Sequence, residues 1–458
     1  MITQKALIAA LLVPLGATLA AAPSASAGTP SAPPAASASV DAAAFRSPEA
    51  ALDRVAHPLR TTEPRGSLAD LRPFGRMVGD AKVVGLGEAT HGSHEFFTVK
   101  HRVLRYLVEE KGFRAFALEA PWSTGVRLDG YVLRGEGDLK QIMDEEFQGT
   151  YRWWNNGEYR DMLQWMRAYN VEHPKDPVRF VGDDSGFAGA ELYDKVNAYA
   201  ASALPELLPQ LAELYRGLRP ATDAATYVDD YLAKPLAERK ELAERTGRAV
   251  ELLKQQPGAD ADAHAWAVQH ATAIHQMTAQ FAFDLDNDPQ GPAEAMIYRD
   301  RVMAQNVAWW QQRTGDKILL AAHNSHVALK TYAPASHPKA QGDFLREQLG
   351  ADYLSVGLTF DHGSFNAFDQ AGAVQRFTVG PAEPGTAEHT LDKVRYRDFV
   401  VDLRNTPEPA RAWLAAPHTV KNIGTTHPWP GSAPQIRLTQ THDVLIHLQQ
   451  VEAARMLN

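Results

Sequence analysis

The chain has 458 residues, a formal net charge of -9 and no cysteine. The absence of cysteine excludes disulfide bonds, thiolate metal sites and a cysteine nucleophile. The acidic balance and the lack of a long basic run argue against nucleic acid or an anionic membrane as a partner, because both bind basic patches.

The first residues predict export. Lys5 supplies a positive start, residues 6–22 are mostly apolar, and the Ala-Ser-Ala at 25–27 has the small-x-small pattern that signal peptidase cleaves. We therefore expect a signal peptide over 1–27, with an uncleaved anchor as the alternative. A disordered Pro/Ala/Ser-rich lead-in should follow over 28–43, and the protein should be secreted, with no membrane partner after cleavage.

Removing 27 residues from 458 leaves 431, which suits one large domain with an inserted part. Five short apolar runs predict strands of a parallel sheet, because strands covered on both faces are almost continuously hydrophobic. The runs are 81–86, 114–118, 178–181, 317–321 and 353–359. Residues 398–403 and 443–448 are expected to add edge strands.

Between the first two strands, apolar residues at helical spacing predict a helix over 94–111. Ser93 is suited to its N-cap and Gly112 to its C-cap. Strand, helix and strand in this order indicate a right-handed crossover between parallel strands.

Residues 189–310 are rich in Ala, Leu, Glu and Arg, and helical stretches are expected around 204–218, 236–255 and 261–283. We interpret this span as an α-helical insertion packed against the sheet, since no Gly/Ser-rich linker flanks it. The expected fold is therefore α/β, with a mostly parallel sheet flanked by helices and a large helical insertion, over residues 44–458.

Acidic and histidine side chains follow four of the strands. In chain order these residues are Glu88 with His91, then Glu119, then Asp183 with Asp184, then His323 with His326. Ligands bind beyond the carboxyl ends of strands in open parallel sheets, because the crossover loops open a crevice there. The four strand ends therefore predict one shared site.

Three familiar motifs are incomplete or absent. Residues 94–98 begin like a zincin HExxH helix but have Thr98 in place of the second histidine. Gly85 and Gly87 lack the third glycine of a dinucleotide-binding loop, and no GxSxG nucleophile elbow occurs. Serine-hydrolase and Rossmann interpretations lose their main support.

Two kinds of chemistry remain open on the residues alone. In the first, His91 is a general base for water, oriented by Glu88 or Glu119. Cationic or imidazole donors would stabilise the oxyanion, and the candidates are Lys100, Arg299, His323 and His326. In the second, histidines 91, 323 and 326 and a carboxylate hold zinc or manganese, which activates the water instead.

A non-enzymatic alternative also stands. A secreted binding protein could use the same pocket for haem, with His91 or His323 as the axial ligand. The many carboxylates expected in the pocket argue against it, because haem sites are mostly apolar apart from the ligand.

Aromatic residues lie near the predicted strand ends. Trp122 follows Glu119 closely, and Trp154 belongs to a dense cluster at 151–154. Either tryptophan could line a pocket for a large apolar substrate or belong to the core between sheet and helices. Both are candidate substrate-binding residues.

The stretch GEATHGSHEFFTVKHRVLRYLVEEKGFRAFALEAPW at 87–122 resembles the erythromycin esterase family, whose signature is GE-x-[ST]-H followed by a helix and a strand ending in FA-x-E. The similarity continues through MIYRDRVMAQNVAWW, KILLAAHNSHVA and the tail DVLIHLQQVEAARML. It spans roughly residue 70 to the C-terminus, and its two histidine blocks are its most specific parts.

The resemblance implies an α/β fold with a helical insertion and a metal-independent esterase that opens macrolide lactones, an antibiotic-resistance activity. By position, the family's catalytic base falls on His91, and its supporting glutamates fall on Glu88 and Glu119. Arg299, His323 and His326 match the later conserved arginine and histidines of the family.

One departure concerns substrate binding. Macrolide-opening members carry an arginine where this chain has Lys100, which keeps the charge but loses the planar bidentate fork. The expected substrate is therefore a small-molecule ester or lactone of unspecified size. Wider relatives of the fold with a similar GE-x-x-H start include metal-dependent proteases and haem-binding lipoproteins, so the metal alternative is kept.

Overall fold

The computed structural model describes residues 47–256, 258–428 and 433–457. The predicted signal peptide over 1–27 and the lead-in over 28–43 lie outside the described residues. None of the helices within these ranges combines the length and the apolar character that crossing a bilayer requires.

The strands are numbered in chain order. They are β1 (His57–Pro58), β2 (Val83–Leu86), β3 (Phe113–Pro121), β4 (Arg179–Asp184), β5 (Lys317–Ala321), β6 (Tyr353–Phe368), β7 (Val374–Val379), β8 (Phe399–Asp402), β9 (His418–Thr419), β10 (Gln435–Ile436) and β11 (Val444–Val451). The central sheet has the order β1-β8-β11-β6-β2-β5-β3-β4, and β7 pairs with β6.

The sheet is mostly parallel, as predicted. Neighbouring strands from β11 across to β4 all run parallel. Antiparallel pairing occurs where β8 joins β11 and β1, and where β7 joins β6. The expectation of 443–448 as an edge strand is wrong, because β11 pairs with β6 on one side and with β8 on the other. Residues 398–403 correspond to β8, which lies next to the two-residue strand β1.

The α-helices are α1 (Pro48–Leu52), α2 (Arg72–Val78), α3 (His94–Lys111), α4 (Trp122–Arg134), α5 (Leu139–Glu146), α6 (Gly157–Glu172), α7 (Ala190–Ala203), α8 (Leu208–Leu214), α9 (Ala224–Leu232), α10 (Leu236–Gln255), α11 (Ala261–Gln280), α12 (Gly291–Thr314), α13 (Asn324–Val327), α14 (Gln341–Leu349), α15 (Ala387–Leu391), α16 (Ala410–Leu414) and α17 (Leu438–Thr441). Helices α7 to α12 all lie between β4 and β5 in the chain. Short 3-10 turns occur at Ala69–Leu71, Gly149–Trp154, Pro205–Leu207, Gly350–Asp352 and Leu403–Asn405.

The first crossover helix, α3, matches the predicted bounds. It ends at Gly112, which has a φ of 71° and donates its N–H to the carbonyl of Leu107. This left-handed conformation is cheap only for glycine, so the chain turns directly into β3. Ser93 occupies the N-cap position, but its hydroxyl contacts Thr90 Oγ1 at 2.6 Å and makes no capping bond to the helix.

Successive residues of the strands contribute to two hydrophobic clusters. Val84, Leu86 and Leu118 belong to the cluster that includes residues of α3 and α6. Val83 and Ala117 belong to the cluster formed with helices between β4 and β5. Because side chains alternate between the faces of a strand, helices cover the sheet on both faces. Full burial of a side chain such as Leu86 contributes about 1.5–3 kcal/mol.

The C-terminal segment packs against the start of α3. His94 N donates to the Glu452 carbonyl at 2.7 Å. The His94 ring lies between two carboxylates, with Nδ1 at 2.6 Å from Glu158 and Nε2 at 2.9 Å from Glu63. The hydrogen bond that His94 donates to Glu158 raises the pKa of His94 to about 9, although burial opposes this shift. Arg455 also contacts Glu158, at 3.1 Å.

We expect this contact to make folding stability depend on alkaline pH. The pKa of His94 is higher in the fold than in the unfolded chain, so its stabilisation is complete below about pH 6.5 and is lost as pH rises through the folded pKa. Thermal unfolding of the wild type and His94→Gln between about pH 6 and pH 10 measures this contribution. The difference in Tm should be largest at the acidic end and shrink above the folded pKa; a constant difference would contradict the assignment.

Candidate functional site

The first histidine loop joins β2 to α3 and carries Glu88 and His91. Gly87 opens this loop, and a Cβ at that position would lie 2.1 Å from Asn324 Oδ1, so only glycine allows the approach. Asn324 in turn accepts from Leu358 N at 3.0 Å and donates to Leu358 O at 2.8 Å. These contacts tie the two histidine loops and β6 into one rigid edge.

Glu88 and His91 form a buried dyad. His91 Nδ1 lies 2.6 Å from Glu88 Oε1, and only the nitrogen can donate to a carboxylate. The lone pair of His91 is therefore on Nε2, which makes no hydrogen bond within the part of the chain that the structure describes. A histidine with a carboxylate behind it and a free Nε2 has the arrangement of a general base.

Lys100 lies behind this dyad. Its ammonium donates to Glu88 Oε2 at 2.5 Å and to the Ala322 carbonyl at 3.4 Å, and both Lys100 and Glu88 are 0 % exposed. Burial lowers the pKa of Lys100, and the Glu88 charge opposes this effect. The structure does not support the expected substrate contact for Lys100, because the ammonium is directed at Glu88 and away from solvent.

The second histidine loop joins β5 to α13 and brings His323 opposite His91. The two ring centroids are 4.9 Å apart. Ser325 N donates to His323 Nδ1 at 3.3 Å, so Nε2 carries the hydrogen of the neutral ring. That Nε2 is buried and has no hydrogen-bond partner among the described residues. Burial, together with the neighbouring His91, holds the pKa of His323 well below its usual value.

Glu119 anchors the backbone of the second loop. Its Oε2 accepts from His323 N at 3.0 Å, and its Oε1 accepts from Arg299 Nη2 at 2.9 Å. Burial alone would raise the pKa of Glu119, but His326 and Arg299 hold it well below its usual value. Glu119 is therefore ionised and positions His323.

Arg299 pairs with two carboxylates. Its Nε and Nη2 contact Asp184 at distances between 2.5 and 3.1 Å, in addition to the bond to Glu119. Tyr151 donates its hydroxyl to Asp184 Oδ2 at 2.9 Å. Only 4 % of Arg299 is exposed. The expected role of Arg299 as an oxyanion donor does not fit this arrangement, because Nε and Nη2 are paired with carboxylates and Nη1 lies 3.2 Å from His326 Nε2.

His326 also has both ring nitrogens occupied. Nδ1 lies 2.8 Å from Asp300 Oδ1 and Nε2 lies 3.3 Å from Glu119 Oε1. Although burial opposes it, the charges of Asp300 and Glu119 raise the pKa of His326 to about 10. A neutral His326 would accept from Arg299 Nη1 at 3.2 Å, but the two flanking carboxylates favour the imidazolium. His326 is therefore a fixed cation and not a base.

The two candidate tryptophans lie in different places. The Trp154 ring centroid is 5.0 Å from that of His91, and Trp154 Nε1 donates to the Glu119 carbonyl at 2.8 Å. Trp122 packs in the other hydrophobic cluster, against Trp309 and Trp310, and donates to His270 Nδ1 at 3.2 Å. The structure brings Trp154 to the site but places Trp122 elsewhere, beside a cavity of about 280 Å³ at the β4 edge.

Residues 420–427, here termed the strap, cross over both histidine loops. Ile423 N donates to the Ala89 carbonyl at 2.7 Å, and His91 N donates to the Gly424 carbonyl at 3.2 Å. Asn422 Nδ2 donates to Ser325 Oγ at 2.9 Å. His91 is only 6 % exposed beneath these contacts. The strap therefore ties the backbone of the first histidine loop to the second.

The residues expected to share a metal are not brought to ligand spacing as a set. Within the described ranges, the group with ligand atoms all inside 4.8 Å is Asp300, His326 and His337. His91 and His323 are not in this group. Sequence reasoning missed Asp300 and His337: Asp300 directly follows Arg299 in the chain, whereas nothing in the local sequence marks His337.

Asp184 was expected at the shared strand-end site but without a role, and Tyr151 was not expected there. Asp184 stands at a predicted strand end, and Tyr151 stands in the aromatic cluster at 151–154. Both signals were visible, but pairing with Arg299 requires β4 to lie beside α12, which the sequence pattern does not show.

The chain is similar in sequence to a known protein family. The family model described as erythromycin esterase matches residues 108–451. Erythromycin esterase type II of Escherichia coli is 22% identical over 373 residues, which cover 77% of this chain and 87% of that protein.

Two solved structures are similar over most of the chain. A protein from Bacillus cereus has a TM-score of 0.80 and 31% identity, with 89% of this chain and 98% of that chain covered. A structure described as a succinoglycan biosynthesis protein has a TM-score of 0.79 and 27% identity, with 92% of this chain and 100% of that chain covered.

Replacement of Lys100 tests the buried pair. We expect Lys100→Met to lower the free energy of unfolding by about 3–5 kcal/mol, because it leaves the Glu88 carboxylate buried without its cation. A matched control is Lys82→Met, whose partner Asp352 lies 2.8 Å away but whose pair is about half exposed. That exposed pair should contribute only about 0–1 kcal/mol.

Urea unfolding of both variants gives the comparison. The double variant Lys100→Met/Glu88→Gln should recover part of the loss, since no unpaired charge remains. Equal effects of Lys100→Met and Lys82→Met would show that Lys100 does not neutralise Glu88.

Proposed function

This chain belongs to the erythromycin esterase family, and on that premise we propose that it hydrolyses a carboxylic ester or a macrocyclic lactone with water activated by His91. Family membership and the names of its relatives support a hydrolase of the esterase type. The observation that carries the catalytic assignment is the 2.6 Å contact between His91 Nδ1 and Glu88, which leaves Nε2 free.

The proposed reaction begins with proton transfer from water to His91 Nε2 as the water oxygen attacks the ester carbonyl. The new C–O bond converts the carbonyl oxygen into an oxyanion, and His91 becomes an imidazolium that Glu88 stabilises through Nδ1–H. Collapse of the tetrahedral intermediate breaks the bond to the alkoxyl oxygen, which takes the proton from His91 Nε2. The products are a carboxylic acid and an alcohol; for a lactone both belong to one opened chain.

His323 is the oxyanion donor in this proposal. Its Nε2–H is buried, unpaired among the described residues and carried by a ring 4.9 Å from that of His91. A donor that is already desolvated and held in place stabilises developing charge without reorganising at the moment of reaction. A neutral imidazole suits this role, and the low pKa of His323 is consistent with a neutral ring.

Lys100, Arg299 and His326 have supporting roles. Lys100 donates to Glu88 Oε2 and leaves Glu88 Oε1 to accept from His91 Nδ1, so that the dyad can accept a proton on His91 Nε2. Arg299 and His326 neutralise Glu119 and Asp184, which hold the second histidine loop and the Tyr151 hydroxyl. Each of these cations is paired in the structure, so we assign none of them to the oxyanion.

The substrate class we propose is a small-molecule ester or lactone, macrocyclic lactones included, that the protein meets outside the cytoplasm. Export follows from the signal-peptide pattern at 1–27, and a lactone is suggested by the family name. Trp154 beside His91 offers an aromatic wall to an apolar part of the substrate. Macrolide antibiotics are the first lactones to test, and resistance is the biological role that such activity would imply.

A metal-dependent hydrolase is the second candidate function. The group of Asp300, His326 and His337 has the donor set of a zinc or manganese site and supports this alternative. It lies on the far side of His326 from Glu119, since His326 contacts Asp300 through Nδ1 and Glu119 through Nε2. Water activation at His91 requires no metal there.

Substitution of the base is the direct test. We expect His91→Ala to fold and to lower kcat/KM on a responsive ester by about 10²–10⁴-fold, the usual contribution of a general base. The matched control is His101→Ala on the same helix-loop unit, because His101 is also 6 % exposed but contacts Trp165 and no carboxylate of the site. Activity of His91→Ala close to that of His101→Ala would remove His91 from the mechanism.

Metal content separates the two enzymatic candidates. Protein purified without chelator should contain less than stoichiometric zinc and manganese by elemental analysis, and activity across aryl esters, simple lactones and macrolides should survive chelator treatment. One tightly bound ion per chain, with activity lost on its removal, would favour the metal-dependent reaction. A Soret band on haem titration without turnover of any ester would instead favour a haem-binding protein.

A further inference from the structure

His337 is a buried histidine outside the proposed catalytic dyad. It lies in the segment between α13 and α14, with 2 % of the residue exposed. Its Nε2 is 3.0 Å from Asp300 Oδ2, and Asp300 is fully buried. Burial of an ionisable pair at this depth is costly unless its members are held by further contacts.

Asp300 has those further contacts. Its Oδ1 accepts from Gln341 N at 2.7 Å and lies 2.8 Å from His326 Nδ1. His337 faces the other carboxylate oxygen, so Asp300 is contacted from the start of α14, from the second histidine loop and from the segment before α14. Burial would raise the pKa of Asp300, but His326 and His337 lower it below its usual value.

From Asp300 the contacts continue into the catalytic site. His326 Nε2 lies 3.3 Å from Glu119 Oε1, and Glu119 Oε2 accepts from His323 N at 3.0 Å. The result is a line of contacts from His337 through Asp300, His326 and Glu119. It ends at the backbone of His323, whose ring faces His91.

We propose that His337 is a positioning residue that orients Asp300 against His326, and thereby fixes Glu119 and the His323 ring opposite His91. The inference rests on the proposed esterase function for its kinetic consequence. The contact line itself does not depend on which substrate is hydrolysed. His337 touches neither the expected position of the water nor His91, so its effect is transmitted through Asp300 and His326.

The same three side chains could hold a metal ion, but two observations favour the ion-pair network. Asp300 is the one carboxylate in the group, and a dication there would lie close to the Arg299 guanidinium, which is 3.2 Å from His326 Nε2. Asp300 Oδ1 also already accepts the Gln341 N–H. Pairing with the His326 imidazolium compensates the Asp300 carboxylate with less excess positive charge than a dication would bring.

The experiment compares His337→Leu with His337→Gln in the full chain. Leucine removes the polar ring nitrogen that lies 3.0 Å from Asp300 Oδ2, whereas glutamine keeps a polar group in a side chain of similar reach. His101→Leu is the matched control, because His101 is a buried histidine whose ring contacts Trp165 and, within the described ranges, pairs with no carboxylate. Circular dichroism and Tm establish that each variant is folded.

Two readouts are measured. In kinetics on the responsive ester, we expect His337→Leu to lower kcat by about tenfold with KM nearly unchanged, because misplacement of the oxyanion donor affects the chemical step more than substrate binding. His337→Gln should recover most of this loss. By NMR, the downfield imidazolium N–H resonance that disappears in His326→Gln should shift or broaden in His337→Leu and remain in His101→Leu.

The NMR readout separates failure of this inference from failure of the proposed function. An unchanged His326 resonance in folded His337→Leu overturns the positioning role, whether or not an ester is hydrolysed. Equal kinetic losses in His337→Leu and His337→Gln overturn it as well, because they would indicate a steric role. One zinc per chain in the wild type that is absent from His337→Leu also overturns it, since the three residues would then be metal ligands.

Discussion

The site depends on the pairing of the Glu88 carboxylate in a position that no solvent reaches. An isolated charge in such a position would take up a proton, because burial disfavours the ionised form. Lys100 supplies the balancing charge on one oxygen and His91 supplies a hydrogen-bond donor on the other. The lysine therefore acts on the base through the carboxylate, and its burial follows from that arrangement.

The remaining charges of the site form a second, separate network. Arg299 and His326 lie among Glu119, Asp184 and Asp300, and each has its polar atoms engaged. Charge neutralisation on this scale makes the second histidine loop rigid, because moving any member would leave a buried charge unpaired. Among the residues that the structure describes, the Nε2 atoms of His91 and His323 have no hydrogen-bond partner in either network. One accepts and one donates, which is the pair that water activation needs.

The architecture explains why these groups meet. β2, β3 and β5 are adjacent and parallel in the sheet, and β4 lies beside β3. The residues that follow them therefore emerge at one edge, as the strand pattern predicted. Arg299 reaches the same edge from α12, a helix that immediately precedes β5 in the chain. Trp154, which ends the turn Gly149–Trp154, lies in one hydrophobic cluster, and Trp122, the first residue of α4, lies in the other.

Local patterns in the sequence were sufficient for the fold class, the bounds of α3 and the grouping of Glu88, His91, Glu119 and His323, because continuous hydrophobicity and strand ends are short-range features. The tertiary structure alone decided how the charges are shared. Lys100 turned out to pair with Glu88, and Trp122 to pack away from His91. Asp300 with His337 extends the network through contacts distant in sequence. Such pairings depend on which helix faces which strand and on the cost of leaving a buried charge unpaired. The spacing of neighbouring residues in the sequence encodes neither of these.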